Sequence, residues 1–227
     1  MIKPGDMRIK AVVFDLDGTL IDSAPGLQTA ANAVLEAEGC APVELAEVKD
    51  MIGDGIPALI NKAFTRHGRD LSTSELDRYT KWFRKVYAEC GPKETVLYPG
   101  ARHGLQQLSF LGMSLGLCTN KPQRSTEPLL DALRIDHYFS AVFGGDLLAG
   151  IQKPDPRHVL AVLGRLGIDA SEAVMVGDSP NDVDAGQGAG LPVIAVTYGY
   201  SLGPVSALGA DYLIDSLTEL PALLADL

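Results

Sequence analysis

Asp15 and Asp17 stand two residues apart at the end of the apolar run Lys10–Asp15, KAVVFD. Such a run reads as a buried parallel strand, and the carboxyl ends of strands are where open α/β sheets bind ligands. An Asp-Gly turn after a strand is by default only a solvated turn. A second acidic group shifts that balance, because Ala173–Val176 (AVMV) runs directly into GDSPND at 177–182 and brings Asp178 and Asp182 to the same edge. Four carboxylates on one rim repel each other unless a cation joins them. Oxygen-rich ligation with few protein ligands suits Mg²⁺, which keeps several waters and accepts a phosphate oxygen. Lys153, in the turn QKPDP at 152–156, offers a compact positive charge to that rim. Thr119 and Asn120 follow another strand and offer a hydroxyl and backbone donors suited to a phosphoryl oxygen. Taken singly, these are a surface lysine and two turn residues; their convergence is what implies phosphoryl chemistry.

The elements that must position these residues alternate. Besides the first strand, strands are expected at Met113–Thr119, Ala141–Phe143, Ala173–Val176 and Pro192–Val196, with helices such as Gln123–Leu133 and Asp155–Leu166 between them. That alternation predicts an α/β fold, a doubly wound parallel sheet with right-handed crossovers. Between Ser23 and Gly91 the pattern changes to successive helix signals. Leu27, Ala31, Val34 and Leu35 form one apolar face that Gly39 ends, and Pro57 opens a helix that Gly68 ends. Ser72 and Glu75 form a capping box before Leu76, Tyr79, Trp82, Phe83 and Val86, with Gly91 expected to close that helix. We therefore expect residues 1–22 and 93–227 to form the α/β core and 23–92 an all-helical insert of about four helices. Inserted beside the end of a strand, it would serve as a lid, the alternative being helices packed permanently on the core.

Composition bounds the partners. The 227 residues carry a formal net charge of -10, which provides no basic stripe for nucleic acid, so a small anionic substrate must be met by a metal ion or a few placed cations. The N-terminus lacks an apolar leader core and no apolar run approaches the ~20 residues of a membrane span, which suggests a cytoplasmic protein without a membrane partner. Cys40, Cys90 and Cys118 are scattered, an odd count that reads as reduced thiols, and the four histidines lack metal-ligand spacing.

DLDGTL at 15–20, CTNK at 118–121, KPDP at 153–156 and GDSPND at 177–182 together resemble the four ordered motifs of the haloacid dehalogenase-like phosphatase superfamily. The helical insert, MIGDG at 51–55, YPG at 98–100 and TYGY at 197–200 are similar to the phosphoglycolate phosphatase family within it. The resemblance implies a Rossmann-like core with a helical cap. It implies that Asp15 is the nucleophile and that Asp17 protonates the leaving alkoxide and then deprotonates the hydrolytic water. Mg²⁺ would be held by Asp15, the Asp17 backbone carbonyl and Asp178, with Asp182 orienting a metal-bound water or Lys153. Thr119 and the Asn120 N–H would bind the phosphoryl group, Gly18 would let the backbone turn closely, and Thr19 would fix the Asp17 side chain. The implied substrate is a small phosphorylated metabolite, 2-phosphoglycolate, met by a monomer or homodimer. Its carboxylate would be received by backbone N–H groups at Gly53 and Gly55 in the cap, with Asp54 paired to Arg66 or Lys62.

Other classes fit less well. Cys118 and Arg124 have the C-x5-R spacing of cysteine-dependent phosphatases, but Pro122 removes an N–H that a phosphate cradle needs. A sugar-phosphate phosphatase or a phosphomutase would use Asp15 and Asp17 alike and differ in the cap. A degenerate binding module would not keep every chemical position filled, and carbon–halogen cleavage has no use for Asp17, Asp178 and Asp182.

Overall fold

The computed structural model describes residues 8–201 and 203–227. In chain order its elements begin with β1 (Ala11–Phe14), β2 (Ile21–Asp22), α1 (Ala24–Ala37), α2 (Leu45–Lys49), α3 (Ile56–Thr65) and α4 (Thr73–Cys90). They continue with β3 (Val96–Leu97), α5 (Ala101–Phe110), β4 (Ser114–Cys118), α6 (Gln123–Ala132), β5 (Ala141–Phe143) and α7 (Pro156–Leu166). β6 (Ala173–Gly177), α8 (Pro180–Gly188), β7 (Val193–Val196), β8 (Tyr212–Ile214) and α9 (Leu220–Ala225) complete them. The chain divides into two units, one built from the segments ending at Ile21 and starting at Leu97, the other from Asp22–Val96.

The first unit is an α/β sandwich around a six-stranded sheet of order β5-β4-β1-β6-β7-β8, whose neighbouring strands are all parallel. β1 is buried along its whole length between β4 and β6, which explains why it carries only apolar residues. From β1 the later strands extend to one side as β4 and β5, then to the other as β6, β7 and β8, so the order reverses beside β1. That reversal opens a crevice at the carboxyl ends of the strands. Register makes the crevice specific. Phe14 pairs with Leu117 on one side and Val176 on the other, so β1, β4 and β6 end at one level and release Asp15, Thr119 and Asp178 together.

The expected strands are all present, most with bounds shifted by a residue at their ends. β8 was not expected, and its character explains why: it is a short edge strand with Tyr212 and Leu213 exposed, so no buried apolar run marks it.

The second unit is helical, with α1 to α4 packed on one another. Tyr79, Phe83 and Tyr87 recur every four residues on α4 and form its buried stripe, with Phe64 of α3 stacked on Tyr79 at 4.9 Å between ring centroids. Trp82, expected on that stripe, is 37% exposed, because it lies one position off the four-residue row. Gly39 and Gly68 take the left-handed conformation that ends helices. Gly91 does not: its φ of -51° keeps it right-handed, and α4 runs on into a 3-10 turn at Gly91–Lys93. Close packing explains the glycine instead, since a Cβ there would sit 2.7 Å from the Tyr87 ring. That turn and Thr95, which donates to the Gly91 carbonyl at 2.7 Å, stay with the helices, so the return to the sheet unit falls at Val96–Leu97.

α4 starts with the capping box that Ser72 and Glu75 predict: the Ser72 hydroxyl accepts from the Glu75 N–H, and the Glu75 carboxylate accepts from the Ser72 N–H at 2.9 Å. Ser72→Ala is expected to lower the unfolding free energy by about 1 kcal/mol and Ser72→Thr to keep most of it. Urea denaturation followed by helical ellipticity checks this, and an unshifted midpoint for Ser72→Ala would remove the cap from the account.

Candidate active site

Lys153 is the centre of the rim. Its ammonium, almost fully buried, lies 2.7 Å from Asp15 Oδ1 and 2.6 Å from Asp182 Oδ1. α8 places Asp182: its other oxygen accepts from the Asp178 N–H at 3.1 Å, the Ser179 N–H at 3.0 Å and the Ser179 hydroxyl at 2.7 Å, the capping box of that helix. Both Asp182 oxygens are thus engaged, one of them on Lys153. Asp182 holds Lys153 and the turn after β6.

Asp178 is fixed from three directions. Its Oδ1 accepts from the Thr19 hydroxyl at 3.0 Å and its Oδ2 from the Tyr200 N–H at 2.7 Å, while its carbonyl accepts from the Ser201 hydroxyl at 3.0 Å. Thr19 was expected to fix Asp17 and instead fixes Asp178, because the turn after β1 folds its hydroxyl toward the end of β6. Gly18 makes that turn possible: its φ is +93°, and a Cβ would stand 2.3 Å from Asp178 Oδ2.

Asp17 faces a different cation. Lys121 Nζ approaches its two carboxylate oxygens at 3.0 and 3.2 Å, and the Lys121 side chain is 4% exposed. The Thr119 hydroxyl oxygen accepts from the Lys121 N–H at 3.2 Å, while the Thr119 N–H extends the sheet by donating to the Phe143 carbonyl. Asn120 Nδ2 donates to the Lys153 carbonyl at 2.9 Å and so joins the turn after β4 to the lysine loop.

The structure therefore brings Asp15, Asp17, Thr19, Thr119, Asn120, Lys153, Asp178 and Asp182 to one rim. Gly53 and Gly55 belong to the helical unit, where both take positive φ, Gly55 caps α3, and Asp54 pairs with Lys62 at 2.7 Å while Arg66 pairs with Glu47. The roles of Lys121, Ser179, Tyr198 and Tyr200 were not read from the sequence. Lys121 and the two tyrosines do stand inside the conspicuous CTNK and TYGY stretches. The Tyr198 hydroxyl donates to the Thr19 carbonyl at 2.8 Å, and its ring packs on Tyr98 at 4.6 Å, so the YPG and TYGY segments brace the turn after β1.

Charge does not balance within the buried cluster. Burial pushes the Asp15 carboxyl up to about 7, with Lys153 opposing the rise and Asp182 and Asp17 adding to it. Burial likewise raises Asp178, helped by Asp182 and Asp15 and resisted by the Tyr200 N–H and Thr19. Burial works against the Lys153 charge, yet Asp15 and Asp182 more than offset it and hold the ammonium protonated. One cation thus faces the buried Asp15, Asp178 and Asp182, whose carboxylate oxygens lie within 4.8 Å of one another. An all-oxygen donor set with surplus negative charge fits a hard divalent cation. Cys118 is unsuited to the alternative thiolate chemistry, since burial lifts its thiol to about 12 and Arg124 is exposed.

Residues 12–196 match the family model described as haloacid dehalogenase-like hydrolase. A phosphoglycolate phosphatase of Rhodospirillum rubrum is 42% identical over 215 residues, covering 93% of this chain and 89% of its own. Another, of Chromobacterium violaceum, is 42% identical over 214 residues, covering 94% and 95%. A crystal structure titled as a predicted phosphoglycolate phosphatase from Haemophilus somnus superposes with a TM-score of 0.89 at 31% identity, covering 96% of this chain and 99% of that one. The chain belongs to the haloacid dehalogenase-like hydrolase family. It is an enzyme, a phosphatase by the relatives it stands among.

The charge surplus has a measurable consequence. A carboxyl whose folded pKa lies above its unfolded value of 3.8 keeps its proton in the native state after the unfolded chain has lost it, so stability falls as pH rises from about 4 to about 7. With divalent cations chelated, stability is expected to be lower at pH 7.5 than at pH 5 by roughly 2 to 3 kcal/mol for a carboxyl raised to about 7, with the melting temperature falling accordingly. Adding Mg²⁺ at pH 7.5 should restore it. A melting temperature that rises between pH 5 and 7.5 in chelator would contradict the charge count.

Proposed function

We propose that this phosphatase hydrolyses 2-phosphoglycolate to glycolate and phosphate through a phospho-enzyme on Asp15, with Mg²⁺ as its metal. The observation that carries the chemistry is the Asp15 carboxylate on the buried Lys153 ammonium, beside a cluster of acidic oxygens suited to a divalent cation. The shared name of the relatives supports the substrate.

Asp15 Oδ attacks phosphorus as the bond from phosphorus to the bridging oxygen breaks, and Asp17 gives that oxygen its proton. Water then attacks phosphorus of the acyl phosphate, its proton passes to Asp17, and the phosphorus–Asp15 bond breaks to release phosphate and restore both carboxyls. A divalent ion would be held by Asp15, Asp178 and the Asp17 carbonyl with Asp182 behind them, and would supply charge neutralisation for the phosphoryl oxygens. Lys153 cancels the repulsion between the incoming dianion and Asp15, and its tie to Asp182 holds it in place for that task. The Thr119 hydroxyl and Asn120 N–H donate to the phosphoryl oxygens as phosphorus passes from the bridging oxygen to Asp15 and from Asp15 to water. The helical unit is the lid in this reading, with Gly53 and Gly55 offering N–H groups to the substrate from the turn before α3. Three free cysteines fit the reducing cytoplasm as the site of action, with the enzyme working as a monomer or homodimer on a small metabolite.

A screen of small phosphomonoesters with and without Mg²⁺ tests the substrate. The expected result is Mg²⁺-dependent release of phosphate from 2-phosphoglycolate ahead of neutral sugar phosphates, and a preference for the sugars would reassign it. Asp15→Asn is expected to abolish turnover with the melting temperature kept, because the amide cannot form the acyl phosphate. Asp17→Asn is expected to lose 10²- to 10⁴-fold, with a smaller loss for a phenyl leaving group, which needs less protonation. Near wild-type rates in either variant would remove that residue from the mechanism.

A further inference from the structure

Lys121 and Lys153 are the buried cations among the described lysines and arginines. Lys153 is accounted for by Asp15 and Asp182. Lys121 stands apart from that pair, against both oxygens of Asp17, the residue read above as the acid for the leaving group. Its backbone is fixed: the N–H donates to the Thr119 hydroxyl oxygen, and the carbonyl accepts from the Gly145 N–H at 2.9 Å. The ammonium, by contrast, ends a flexible four-carbon stem and carries three donors, so a small rotation changes the acceptors it serves. Burying such a group is costly, and steadying one aspartate does not require a full charge.

We propose that Lys121 determines specificity from the core side of the site, its ammonium pairing with an anionic group on the leaving half of the substrate. The inference rests on the reading above, that this half bears a carboxylate. Asp17 must come within hydrogen-bond reach of the bridging oxygen to protonate it. In a two-carbon leaving group the carboxylate carbon stands two bonds, about 2.4 Å, from that oxygen. A carboxylate so placed comes within reach of the ammonium that already touches Asp17 at 3.0 Å, and a neutral hydroxyl there would offer it no opposite charge. A net charge of -10 gives the substrate's third negative charge no help from the protein at large, so the buried lysine supplies it locally.

The test compares 2-phosphoglycolate with ethyl phosphate, which has the same bridge and two carbons but no carboxylate, in the Mg²⁺-loaded full chain. Wild type is expected to prefer 2-phosphoglycolate. Lys121→Met is expected to lower kcat/KM for it roughly 10- to 100-fold more than for ethyl phosphate, chiefly through KM, and Lys121→Arg to recover part of the difference. Equal losses on both substrates would overturn the proposal and leave Lys121 as a partner that only positions Asp17. The wild-type ratio needs no variant to fold: hydrolysis of both esters with equal efficiency overturns the role of Lys121 while the phosphatase reading stands. Hydrolysis of neither overturns both.

Discussion

The site depends on one buried ammonium. Lys153 sits between Asp15 and Asp182 with almost no access to water, and three buried carboxylates converge around it. Replacing this cation with an apolar side chain would leave Asp15 and Asp182 buried and uncompensated, a change that typically costs several kcal/mol. The rest of the rim follows from keeping that charge where it is. The Asp182 capping box fixes the start of α8 and the far end of the ion pair at once, and Asn120 ties the Lys153 backbone to the turn after β4. A single side chain, Asp182, therefore serves helix start, turn geometry and electrostatics together.

The sheet supplies the platform. Because β1 is flanked by β4 and β6 in register, the first residues beyond the three strands emerge at one level, and chemistry needs only their side chains to turn inward. The cost of crowding carboxylates at that level appears in the raised Asp15 and Asp178 carboxyls, which burial pushes up first and their acidic neighbours push further. A buried cluster with this surplus of negative charge suits a divalent cation, because an ion there would relieve desolvation and repulsion in the same step.

Much of this was legible in the sequence because it rests on local patterns. Apolar runs ending in acidic turns located β1 and β6, and the Ser72–Glu75 spacing located the start of α4. What was not legible depends on long-range placement. Thr19 reaches Asp178 across 159 residues of sequence, and Lys121 reaches Asp17 across 104, so no spacing rule connects them. β8 escaped notice because an edge strand with outward-facing Tyr212 and Leu213 lacks the buried run that marks the central strands. Gly91 closes α4 as its C-cap, as expected, but in a right-handed conformation. The constraint is the Tyr87 ring against its Cα and not a left-handed turn.

The central claim is that phosphate passes through Asp15 and not directly to water. The stereochemical course at phosphorus decides this, measured with the phosphorothioate analogue of 2-phosphoglycolate, made chiral by sulfur and oxygen isotopes and hydrolysed in water of the third isotope to chiral thiophosphate. Two successive in-line displacements, first by Asp15 and then by water, each invert the centre, so the account predicts overall retention of configuration. Overall inversion would mean a single displacement by water and would contradict a covalent role for Asp15.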